Sequence, residues 1–141
     1  MTGEHDHRDL DRDDLLAVDV PAMLAAGIGD EAGRLRGEIQ GTASAAAAVQ
    51  MEAEGLPADI LGRMLTMVNR HTWQAAVADI DVIVEEPDKR GFPRSATIVR
   101  AGVAACRDGD DYVLFARWLA NVFTLAAMRD IPRPQAAGDS A

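Results

Sequence analysis

From Glu31 to Glu54 the positions Leu35, Ile39, Thr42, Ala46, Val49 and Ala53 recur at alternating spacings of three and four, the period of one helix face. This narrow stripe of small residues predicts a helix that Gly55 ends. "LPADI" then sets a proline in the first turn of the next helix. Its apolar face runs through Ile60, Met64, Met67, His71, Ala75, Ala78 and Val82, flanked by Leu61, Leu65 and Val68. One unbroken helix on that stripe would put His71 on a buried face.

Upstream, a shorter helix is expected from Asp13 to about Ala26, interrupted near Pro21 and stopped at "GIGD", where Asp30 is placed to cap the following start. Downstream, "DIDVIVEE" alternates and clusters β-branched residues before the sharp turn "PDKRGFP". Two readings compete there: continued helix, and a short β-hairpin around residues 80 to 100. The helical one is preferred, because the flanking pattern is helical and two prolines would leave a short hairpin with poorly paired edges. Ile98, Val99, Gly102, Val103, Ala105 and Cys106 then share one face of a helix closed by "RDGD". A last helix from Asp110 to about Arg129 turns Phe115, Leu119, Val122, Phe123 and Ala126 inward. The expected fold class is all-α, an antiparallel bundle of four to five helices joined by short loops. One domain should cover residues 13 to 130, with a flexible acidic tail over 1 to 12 and a flexible tail over 131 to 141.

Composition adds two constraints. A chain of 141 residues can bury a real core, but aromatic residues are only 4% of it, so alanine must do much of the packing. Trp73, Trp118, Phe92, Phe115, Phe123 and Tyr112 carry the large volumes and are expected to anchor it. The single cysteine, Cys106, excludes an intrachain disulfide, and "MTGEHDHRDLDRDD" is no basic and apolar leader, which points to the cytoplasm. No apolar run approaches the roughly 20 residues of a membrane span.

The formal charge of −9 is divided unevenly. Residues 1 to 88 hold 18 acids against 6 bases, and residues 89 to 133 hold 8 bases against 4 acids. An acidic chain is repelled by phosphate backbones, so nucleic acid is not an expected partner. Arg94, Arg100 and Arg107, with Lys89 and Arg90 beside them, form the basic element; Arg100 and Arg107 are seven apart on one helix face, a candidate interaction surface.

The candidate chemistry is thin. His71 has Met67, Val68, Gln74 and Ala75 at helical spacing, none of them a carboxylate, so it reads as a packed histidine. A pocket between helices would use His71, Trp73, Arg70 and Asn69 as its contacts. His5 and His7 among Asp6, Asp9 and Asp11 lack metal-site geometry, and Cys106 among Val103, Ala104 and Ala105 reads as inert. "GIGDEAG" puts acids where a phosphate cradle needs bare amides. No catalytic cluster, cofactor or metal is therefore expected. Gly37, Gly41 and Ala43 to Ala48 would let one helix approach another closely. The resulting expectation is a small cytoplasmic helical protein acting through protein contacts, an adaptor or homo-oligomeric assembly protein. The alternative is a small-molecule sensor or enzyme with a pocket near His71 and Trp73.

Overall fold

A computed structural model describes residues 11–28 and 39–130. The described residues form nine α-helices and one π-helical turn, with no strand among them. The described part of the chain is all-helical, as its periodicities predict.

Helix α1, Arg12–Leu16, starts with a reciprocal cap: the Asp11 carboxylate accepts from the Asp14 amide at 2.9 Å, and the Asp14 carboxylate accepts from the Asp11 amide at 3.3 Å. Helix α2, Val20–Ile28, begins where Asp19 accepts from the Ala22 amide at 3.2 Å. The interruption expected near Pro21 thus falls earlier, at Ala17 to Asp19. Pro21 lies in the first turn of α2, where a missing N–H costs nothing. The expected cap at Asp30, together with Leu35 and Gly37, lies outside the described residues.

The π-helical turn Ile39–Ala43 leads into α3, Ser44–Glu54, which Gly55 ends with a left-handed φ of +88°. Helix α4, Ala58–Arg70, follows. Here the structure departs from the expected continuous stripe. At His71 the backbone turns extended (φ −90°, ψ 144°), and the Thr72 hydroxyl accepts from the Ala75 amide at 3.2 Å, opening a new helix, α5, Trp73–Ala78. His71 is therefore half-buried at a helix end and is not part of a mid-helix apolar face. Val77 and Val82 are about half exposed, while Ile83 and Val84 take the buried positions.

The hairpin reading of residues 80 to 100 is overturned. That stretch holds α6, Ile80–Ile83, α7, Glu85–Arg90, and the start of α8, Pro93–Ala105. Pro87 has no N–H to give a strand ladder. Acids fill the first turn of α7 and Lys89 and Arg90 its last, in the sense that suits a helix dipole, and Gly91 ends it at φ +92°. Helix α9, Gly109–Asp130, is the longest. The short elements between α4 and α8 are what separate this arrangement from a simple bundle of four or five helices.

Helix α3 lies at the centre, packed against α1, α8 and α9, and α2 lies along α8. Ala46, Ala47, Ala48 and Val49 are fully buried. The small-residue stripe is thus consumed by packing within the chain, and Gly41 is exposed with open space around it. The large volumes come from Trp118, Phe115, Leu24, Ile28, Met51, Ile60 and Leu119, all fully buried, and each such side chain contributes on the order of 1.5–3 kcal/mol by leaving water. Phe115 and Trp118 stack with ring centroids 5.9 Å apart.

Two polar nodes fix how the helices meet. Buried Gln50 donates through Nε2 to the carbonyls of Leu15, at 3.0 Å, and Val18, at 2.8 Å, in and just after the end of α1. Its Oε1 accepts from Arg94 Nη1 at 3.0 Å. Glu54, at the end of α3, accepts from the amides of Arg94 (2.7 Å) and Ser95 (2.9 Å) and from the Ser95 hydroxyl (2.7 Å), so it caps α8 from another helix. No helix among the described residues is long and apolar enough to cross a membrane.

Candidate functional groove

Two side chains bond carbonyls in the last turn of α4, that of Val68 and that of Met67, the latter also accepting from the His71 amide. The Tyr112 hydroxyl, carried by α9, donates to the Val68 carbonyl, tying the two helices together. His71 Nδ1 lies 2.7 Å from the Met67 carbonyl. A carbonyl only accepts, so Nδ1 donates, which leaves Nε2 as the ring nitrogen free of that bond. Burial pushes the Tyr112 phenol up to about 12, with nearby Cys106 adding to it, so the phenol stays a neutral donor at physiological pH.

Between the end of α4 and the first half of α9 these ties leave a groove of about 430 Å³. Val68, Asn69 and His71 line one wall, and Tyr112, Val113, Ala116, Arg117 and Ala120 the other. Its lining is largely apolar, while Asn69, Val113 and Arg117 are exposed at the rim. Of the predicted pocket residues, the structure brings Asn69 and His71 together and leaves out Trp73 and Arg70. Trp73 Nε1 donates to the Cys106 carbonyl at 3.3 Å, and Trp118 is fully buried. Arg70 is exposed at the end of α4. The α9 wall was missed because it is joined to His71 only by tertiary packing. One signal was present: from Tyr112 to Met128 the sequence carries a single charge, Arg117.

The three arginines of the expected interaction surface do not form a free basic patch. Arg94 bonds Gln50. Arg100 Nη2 lies 2.6 Å from Asp88 and Nε 3.5 Å from Asp81, and the bond to Asp88 is the main cause of its raised pKa. Arg107 Nε is 3.6 Å from Asp111. The Arg100 pairs join the basic part of the chain to its acidic part within one molecule. Cys106 is buried, and burial, with Asp111 and Asp108 adding to it, pushes its thiol up to about 12. Among the described residues no three His, Cys, Asp or Glu side chains converge as a metal site, and His5 and His7 lie outside them. Comparison with family models, with curated proteins and with solved structures returned no match.

Proposed function

We propose that this protein works by contact with other protein molecules, in an assembly or adaptor role, and that the outward face of α9 is the surface it uses. One observation carries this reading. Between Tyr112 and Met128 the exposed positions are Val113, Arg117, Thr124 and Met128, on one helix stripe, and only one of the four is charged. Val113 is 50% and Met128 65% exposed. On α4 the outward positions are polar, as with Asp59, Arg63, Thr66, Asn69 and Arg70, and the other exposed valines, Val77 and Val82, lie beside Asp79 and Asp81. Depletion of charge around exposed apolar side chains is the compositional mark of a contact surface.

Site-specific photo-crosslinking in cells is the test. A benzophenone side chain at Val113, Thr124 or Met128 is expected to trap a discrete protein, whether a second copy or another chain. The same group at Arg63 or Arg90 is expected not to. Equal yields from both sets, or none from α9, would end this reading.

A further inference from the structure

We infer that the groove between α4 and α9 receives a segment of a different protein that carries a carboxylate side chain next to an apolar one, and that Arg117 meets the carboxylate. The inference rests on α9 being a protein-contact face and specifies the chemistry of what it contacts.

Among the described residues Arg117 is a cation without a carboxylate partner, as is Arg70 at the end of α4, but of the two only Arg117 lines the groove. Arg12, Arg63, Lys89, Arg90, Arg100 and Arg107 each pair with a carboxylate of the same chain. Arg117 has no such partner among the described residues. The lack is not for want of acids, which outnumber the lysines and arginines 23 to 14. Its guanidinium stands alone on an otherwise uncharged stretch, in the wall of a groove whose lining is mostly Val68, Val113, Ala116, Ala120 and the Tyr112 ring. A carboxylate brought there with apolar surface around it forms its ion pair away from water, where such a pair is far stronger than on an open surface. Across the groove, the Asn69 amide makes no other side-chain hydrogen bond among the described residues and supplies two further N–H donors.

The shape selects the occupant. With Asn69, Val113 and Arg117 exposed, the groove is open, so one or two side chains can enter while their backbone stays outside. A second copy paired face to face fits poorly, because its own α9 offers no acid between Tyr112 and Met128. A segment of another protein that carries an acid beside an apolar side chain supplies what that pairing lacks.

The test pans a display library of short random peptides against the full-length protein. Enriched peptides are expected to hold Asp or Glu within a few positions of Leu, Ile, Met or Phe. In fluorescence anisotropy, Arg117→Glu should weaken an enriched peptide about tenfold or more, as loss of a desolvated interface charge pair does. Exchanging the peptide's acid for lysine should restore binding to that variant, with helix content unchanged by circular dichroism. Enrichment without preference for acids, full binding by Arg117→Glu, or no enrichment would each overturn the inference. The failures are distinguishable: peptides that need Val113 and Met128 but not Arg117 overturn the acidic anchor alone. Peptides that bind Val113→Asp, Met128→Asp protein as well as wild type also remove the α9 contact face.

Discussion

The ring of Phe115 lies directly over the bare Cα of Gly102, so a methyl group added at residue 102 would overlap its Cε1, Cδ1 and Cζ atoms. Glycine there lets α8 and α9 approach closely enough for Phe115 to be fully buried and to stack on Trp118. Gly102→Ala should accordingly destabilise the fold by about 1–3 kcal/mol, the cost of overpacking a filled core. Gly41→Ala, in open space, should be neutral or stabilising by up to about 1 kcal/mol. Urea midpoints of the two variants give the comparison, and equal midpoints would contradict the close approach.

Glu54 accepts three hydrogen bonds at the start of α8, two of them from backbone amides that have no partner within the helix. Glu54→Ala should cost roughly 1–3 kcal/mol. Amide exchange at Arg94 and Ser95 should accelerate more than in the rest of α8. Uniform acceleration along the helix would show that the cap is not local.

His71→Leu should keep the fold and cost about 0.5–1.5 kcal/mol, since it removes the ring donor to the Met67 carbonyl, which keeps the His71 backbone amide, while adding apolar surface to a half-buried site. Complete unfolding would mean that His71 holds the end of α4 more firmly than one hydrogen bond does.

Alkali should weaken the fold through two buried acids. The Cys106 thiol and the Tyr112 phenol both have folded pKa values of about 12, above their ordinary 9.0 and 10.0. Between the ordinary and the folded values the unfolded chain has lost protons that the folded chain keeps, so stability falls as pH rises from about 9 to about 12. Each group adds at most about 1.4 kcal/mol per pH unit to that slope. Cys106→Ala should flatten the decline in urea midpoint between pH 8 and 11. An unchanged slope would show that the thiol ionises equally well in both states.

The helical class and the last helix were legible because Phe115, Leu119 and Val122 repeat at a helical spacing too strong to be read otherwise. The break at His71 was not. Ala75 and Ala78 keep the same spacing on its far side, and alanine fits an exposed or a buried position alike, so the stripe continues on paper across a point where the Thr72 hydroxyl starts a new helix. Half of the groove was legible, since Asn69 and His71 are close in sequence. The other half depends on α9 crossing the end of α4, a tertiary pairing that no local spacing encodes. The intramolecular contacts of the arginines were hidden for a related reason: Asp88 reaches Arg100 across a turn, and Gln50 reaches Arg94 from the central helix.

The packing of α2 along α8 has a consequence for synthesis. The apolar side chains Val20, Leu24 and Ile28 are made early, yet the helix that shields them spans Pro93–Ala105. On the ribosome, which releases the amino-terminal end first, this surface stays bare until most of the chain has emerged. A stall before residue 93 therefore leaves a fragment without the helix that packs on Val20, Leu24 and Ile28, and so with an open core.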